Sequence, residues 1–561
     1  MAAERAASRR RLPAGPALPS PPDSAGIAPR RMGGAAAPAW KAAERPPRHR
    51  PSALLWLAAG AVLLPALVPF GMVLGRSLAA GGRALGIILS GRTAQLVGNT
   101  MLLVIAVSSA AAAVGIGAAW LTERTDLPGR RGWRVVAALP LVIPSYVIAL
   151  GIVSAGGPAG IAREIIGIPL PAMRGFVGAW LALTISTYPF VYLTVAASLR
   201  RLDPSHEEAA RGLGAAPARV FRTVVLPQLR PAAGAGVLLA ALYTLSDFGA
   251  VALMRFDAFT RVVYVQYAGR LDRTPAAVLA TLLVLLALMV LLAEQRTRGR
   301  AAYHSASSPR PPRLVALRRR HRAGALAALS LLATAALVLP VGTLIAWVAR
   351  GGTAGAGARL EWGAALGSLT GALLAAALAA SASLPAAVLV TRHSSAATSW
   401  IERIAYAVFA LPHITVALGM VMFAARYLGS LYQSLLLLVL VYASIFFAPA
   451  LGSTRAALAR VDPSLEEASR GLGLGPLRTA AGVTFPLIRR GFAAGGLLVF
   501  LLTMKELPAT LLLRPTGFDT LAVRLWSAST DLLYARAALP ALVLVAVSAV
   551  PMYLLATRER P

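Results

Sequence analysis

From Ala53 onward the chain returns again and again to apolar stretches about as long as a bilayer core is thick, roughly 20 helical residues. A backbone in hydrocarbon must satisfy its own N–H and C=O groups, so runs of this length cross as helices. The stretches fall at 53–75, 97–121, 135–154, 175–199, 232–254 and 276–293, then at 323–349, 364–391, 404–425, 432–451, 491–513 and 537–556. The expected fold is all-α, a polytopic membrane protein of about twelve transmembrane helices in two six-span halves, 51–293 and 323–561. Composition agrees: 57% of the 561 residues are hydrophobic and 14% charged, against about 25% charged in soluble chains.

Residues 294–322, with three consecutive arginines at 318–320, read as a cytoplasmic linker. Residues 1–50, rich in Ala, Pro and Arg, read as a disordered basic tail without the order of a signal peptide. The formal net charge of +33 comes from arginine, since only Lys41 and Lys505 are lysines among 55 basic residues. With abundant Ala, Gly and Pro, that skew reflects GC-rich coding, and no nucleic-acid partner is expected; the arginines suit anionic membrane lipid. The absence of cysteine excludes disulfides, thiolate metal sites and cysteine nucleophiles. With a cytoplasmic N-terminus, the inner segments carry 39 Arg and Lys and the outer loops 15, which favours both termini inside.

The halves share more than hydropathy. Residues 203–214 read DPSHEEAARGLG and residues 462–473 read DPSLEEASRGLG, ten identities in twelve positions at an offset of 259. The offset continues through Pro227 and Pro486 to Thr244, Asp247, Ala250 and Arg255, which match Thr503, Glu506, Ala509 and Arg514. Upstream the offset is 268, pairing Pro144 with Pro412 and Ala149-Leu150-Gly151 with Ala417-Leu418-Gly419. Each repeated loop follows the fourth span of its half, so both lie on one membrane face as parallel repeats. Each encodes a short helix: Ser205 with Glu208, and Ser464 with Glu467, have capping-box spacing. Gly212 and Gly214, like Gly471 and Gly473, permit a sharp exit. Pro227 and Pro486 are expected just ahead of the next span, setting its angle.

The pattern Glu-Ala-Ala, three residues, Gly, nine residues, Ile, one residue, Leu-Pro resembles the coupling-loop signature of permease subunits of bacterial ABC importers. Here it reads Glu208-Ala209-Ala210, Gly214, Val224, Leu226-Pro227, and again Glu467-Ala468-Ser469, Gly473, Val483, Phe485-Pro486. The resemblance implies two ATP-binding cassette subunits on the cytoplasmic side and a substrate-binding protein outside. It assigns Glu207, Glu208, Ala209, Gly214 and Pro227 to one ATPase-coupling site, and Glu466, Glu467, Ala468, Gly473 and Pro486 to the other. The chain has no Gly-x-x-x-x-Gly-Lys-[Ser/Thr] motif, so ATP hydrolysis is expected in the partner subunits; neither an enzyme nor a bound cofactor is expected.

Charge within a span is costly, so Asp247 and Glu506, at equivalent repeat positions, ask for a reason. Either they line the translocation path or they hydrogen-bond to adjacent helices. KELPATLLLRP at 505–515 is similar to the ferric-iron importer permeases, with thiamine and phosphonate permeases as near relatives. A carboxylate pair suits a cation, and the metal ligands are unassigned. His413, which matches Ser145, either packs or faces the route. A twelve-helix secondary transporter is the rival class, but it leaves the repeated loop unexplained.

Overall fold

The computed structural model describes residues 52–157, 160–167, 170–203, 205–297, 314–353, 356–393 and 395–558. The predicted tail and residues 298–313 of the predicted linker lie outside them. Helix covers each of the twelve predicted stretches, but not as twelve straight rods. Eight helices are long and apolar enough to cross unbroken: Ala53–Ala79, Gly91–Arg124, Gly175–Arg201, Phe221–Ser246, Thr274–Ala293, Arg319–Arg350, Trp362–Arg392 and Pro476–Met504. Helix Tyr534–Arg558 covers the last stretch. A hairpin of two-residue strands, Gly352–Thr353 and Ala356–Gly357, is a minor exception to the helical architecture.

The remaining three stretches are bent. Arg130–Val142 turns by 94° into Ser145–Ala155, and Ala396–Ala410 turns by 103° into His413–Tyr427. The repeated prolines are the cause, because a proline pushes the residue before it out of the helical region. Ile143 and Leu411 accordingly sit at ψ 123° and 152°. A gentler 53° bend divides Leu435–Ile445 from Phe447–Leu458.

Pro227 and Pro486 do not precede their helices as expected. They lie inside continuous helices, directly after five-residue π turns at Phe221–Val225 and Ala480–Thr484. A third π turn, Thr334–Val338, precedes Leu339-Pro340 in the same way. Proline offers no N–H to the preceding turn, and the wider π turn absorbs that missing bond without ending the helix.

The halves are interlocked through their first helices. Ala53–Ala79 packs on Trp362–Arg392, His413–Tyr427 and Leu435–Ile445 of the second half, and Leu339–Arg350 packs on Ser145–Ala155 of the first. Ser444 donates to the Val62 carbonyl across this boundary at 2.9 Å. Lipid is as apolar as the side chains it replaces, so close approach of small residues has to hold such helices together. Trp362–Arg392 is built that way, burying Ala364, Gly367, Ser368, Gly371, Ala375 and Ala379. At the start of the second half, Leu317 N–H donates to Asp126 at 2.9 Å and Arg322 pairs with it at 2.6 Å. The Leu317 N–H first, and the Arg322 charge after it, hold the Asp126 carboxyl below the usual carboxylate range.

The repeated Ala-Leu-Gly triplets mark the two crossings. A Cβ on Gly151 would lie 2.5 Å from Pro340 Cα, and one on Gly419 would lie 2.2 Å from the Pro69 carbonyl oxygen. Backbone therefore meets backbone where each first helix crosses the other half. Gly151→Leu and Gly419→Leu should each destabilise the fold by about 3 kcal/mol or more through overpacking. The check is thermal unfolding of the purified chain in detergent, with Gly482→Leu, where a Cβ meets nothing within 4 Å, as the neutral control.

Candidate coupling surface and translocation site

The repeated loops form helices Ser205–Gly212 and Pro463–Gly471. Their starts are held two residues earlier than the predicted capping boxes. Asp203 and Asp462 each accept an N–H bond at 2.9 Å, from Ser205 and Ser464. The Ser464 N–H holds the Asp462 carboxyl below the usual carboxylate range, so this contact is complete at neutral pH and lost only in acid. Both helices end in the same way. Gly214 and Gly473 take φ of 82° and 85°. Ala215 N–H bonds back to the Ala210 carbonyl, and Leu474 N–H to that of Ser469. This is the glycine-closed exit that lets the chain reverse at once. Gly212 and Gly471 stay helical.

The signature residues divide between two faces. Glu208, Ala209, Glu467 and Ala468 are exposed, and so are Gly214 and Gly473. Leu213 and Leu472 are 90% and 85% exposed beside them. Glu207 and Glu466 instead turn inward and are buried. Glu207 pairs with buried Arg124 at 2.9 Å, and Glu466 with Arg392 at 3.2 Å and the Thr484 hydroxyl at 3.1 Å. Arg124 and Arg392 end the second span of each half and are themselves related by the offset of 268. Each of these helices is thus tied by an ion pair to the second span of its half. Pro227 and Pro486 lie off these helices, in the spans that follow.

Asp247 and Glu506 occupy matching breaks, where Phe221–Ser246 and Pro476–Met504 give way to Gly249–Leu253 and Pro508–Leu513. A break at this depth frees N–H groups that lipid cannot satisfy. Asp247 accepts from Ala250 N–H at 2.9 Å with one oxygen and from the Ser145 hydroxyl with the other. Glu506 accepts from Ala509 N–H at 3.0 Å and meets His413 Nδ1 at 2.8 Å. Ser145 and His413 are the first helical residues after the proline bends, so each carboxylate ties a helix break to the bend of its own half. His413 also stacks edge-on against Phe446. Lys505 has no counterpart in the first half, where Ser246 stands. Its Nζ donates to the Leu141 carbonyl at 3.0 Å, and Tyr146 donates to the Lys505 carbonyl at 3.3 Å. Beside the first break, Phe248 packs on Tyr264 and on Trp526 of the second half, with ring centroids 5.0 Å apart in each case. Among the described residues, no three His, Asp or Glu side chains gather to hold a metal.

The partners Arg124, Arg392 and Ser145 escaped the sequence reading. The signal was present, since every one of these contacts joins a residue of the 268 offset to one of the 259 offset. Arg124→Met should lower stability by about 3 kcal/mol, because it strands the Glu207 carboxylate in a buried place. Adding Glu207→Leu should recover most of that loss, measured as the unfolding temperature of the purified chain.

The family model for the inner membrane component of binding-protein-dependent transport systems matches this chain twice, at residues 111–295 and 371–558. The Fe(3+)-transport system permease protein of Haemophilus influenzae is 33% identical over 518 residues, covering 91% of this chain and 99% of that one. A sulfate transport system permease protein of Salmonella typhimurium is 36% identical over 138 residues, 24% of this chain and 50% of its own. A second sulfate permease, from Synechocystis, is 33% identical over 198 residues, 34% of this chain and 72% of its own. With two matched repeats, full-length similarity to a transport permease and a bundle of membrane-length helices, the chain belongs to the family of inner membrane components of binding-protein-dependent transport systems, as a fused double permease.

Proposed function

We propose that this chain forms the translocation path of an ATP-driven importer for ferric iron. An extracytoplasmic binding protein delivers the cargo, and two ATP-binding cassette subunits drive the cycle from the cytoplasmic side, where both termini lie. The similarity to the ferric permease over nearly its whole length is the observation that carries the cargo assignment. The paired outward faces of Ser205–Gly212 and Pro463–Gly471 support the ATPase assignment. On this reading Glu208, Ala209, Gly214, Glu467, Ala468 and Gly473 meet the ATPases, while Glu207 and Glu466 hold the coupling helices in place. Pro227 and Pro486 connect that motion to the following spans. Asp247 and Glu506 belong to the path as the charged anchors of its two broken helices. The sulfate relatives, each matching a quarter to a third of the chain, favour import of an oxyanion as the second reading.

Radiolabelled ferric iron should enter proteoliposomes holding the full complex and its binding protein only when ATP is supplied. Uptake driven by an ion gradient without ATP would overturn the class. Glu208→Ala with Glu467→Ala should reduce cargo-stimulated ATP hydrolysis to the unstimulated rate while membrane insertion is unchanged. Asp247→Asn with Glu506→Gln keeps an acceptor oxygen for each cap but removes both charges. Uptake in this variant should fall while the ATPases stay bound; normal uptake would leave the two residues a capping role alone.

A further inference from the structure

On the face opposite the coupling helices, the two halves leave a cavity of about 220 Å³ between them. Its walls include Arg174, Arg255, Arg261 and Tyr264 from the first half and Trp526 and Thr530 from the second. Tyr264 and Trp526 both pack on Phe248, so the cavity opens onto the seam between the halves, directly beside the Asp247 break. Among the described residues, no carboxylate lines it.

Its charge is left unbalanced by a difference between the repeats. Arg514, the counterpart of Arg255, is paired with Asp519, which also takes Arg524 at 2.6 Å. The position matching Asp519 in the first half is Thr260, whose hydroxyl donates instead to the Asp247 carbonyl. Arg261 has Asp257 as its partner. Arg174 and Arg255 have no carboxylate partner among the described residues. The backbone supplies a second, independent mark. Three non-glycine residues among those described take positive φ, and two of them, Arg255 at 54° and Leu532 at 62°, line this cavity. Side chains rarely adopt that conformation, and where they do it costs free energy that the surroundings must offset.

We propose that this cavity is the receiving site of the path and that it binds an anion: an oxyanion, or a metal ion already enclosed in a net negative shell of ligand oxygens. The proposal rests on the importer reading and narrows its cargo. Two guanidinium groups without a carboxylate partner among the described residues repel a bare trivalent cation, whereas their planar forks match the oxygens of sulfate, phosphate or a carboxylate shell. The carboxylates at the two helix breaks, Asp247 and Glu506, do not line the cavity.

The test uses the full chain, purified into phosphatidylcholine nanodiscs and titrated calorimetrically with sodium sulfate, sodium phosphate or ferric citrate at constant ionic strength in chloride. Saturable binding of at least one is expected, weakened about tenfold or more in R174Q/R255Q, which removes two charge-assisted contacts. Binding of sulfate or phosphate makes a free oxyanion the cargo; binding of ferric citrate alone makes it the enclosed metal. No saturable binding, or binding indifferent to the double variant, overturns the proposal. The unfolding temperature without ligand checks that the variant folds, and R174Q alone carries the test if it does not. Stimulation of ATP hydrolysis by the loaded binding protein is scored separately. If stimulation survives without anion binding, only the cavity assignment fails; if stimulation is absent, the importer reading fails.

Discussion

A helix that breaks inside a bilayer frees N–H groups that hydrocarbon cannot solvate, and the interior of this protein is organised around two such breaks. Asp247 and Glu506 fill them. A buried carboxylate is costly by itself, but each accepts a main-chain N–H from the helix it caps and meets a second polar partner, Ser145 or His413. Those second partners stand at the proline bends of the third and ninth stretches. Break and bend are therefore one mechanical unit in each half, and neither can shift without disturbing the other. Lys505 links the units, because its Nζ reaches the Leu141 carbonyl in the bend of the opposite half.

Away from the breaks, the same economy of contacts ties the repeated loop helices to the bundle. Each coupling helix is rigid at both ends, held by an aspartate at its start and a left-handed glycine at its exit. Its inward glutamate is fixed to the arginine that closes the second span. The joint between each helix and that span is therefore an ion pair between defined side chains rather than a loose loop. The interlocked first helices tie the halves together in turn, since each packs on the half it does not belong to.

Much of this was legible in the sequence, and the remainder failed for identifiable reasons. The twelve stretches, the repeated loop and the matched Asp247 and Glu506 all follow from hydropathy and internal comparison. Hydropathy does not report direction, so stretches 135–154 and 404–425 read as straight spans although their prolines turn them through near right angles. Pro227 and Pro486 suggested helix starts, because proline alone does not reveal the π turn that lets a helix continue through it. Glu207 and Glu208 are neighbours in sequence and were assigned together, yet adjacent helical residues point about 100° apart, so one is exposed and the other faces the core. The glycines of the Ala-Leu-Gly triplets were visible as repeats, but only the crossing of the other half explains why a side chain is forbidden there.

The repeats have diverged unevenly, and the pattern of divergence is informative. Ten of twelve coupling positions are identical, whereas the interior pairs Ser145 with His413, Ser246 with Lys505 and Thr260 with Asp519. The near-identical loops present the same exposed surface twice, as the proposed pair of ATPase subunits requires. The seam is lined by both halves at once, and the proposed receiving site there has no need of two-fold symmetry. What has stayed symmetric in the interior is the capping of the two breaks, a requirement of the bilayer. What has become asymmetric is the charge around them, with Arg514 neutralised by Asp519 while Arg255 faces a threonine position. The asymmetric charges, rather than the symmetric carboxylates, are therefore the part of the interior that the capping requirement leaves free to differ between the halves.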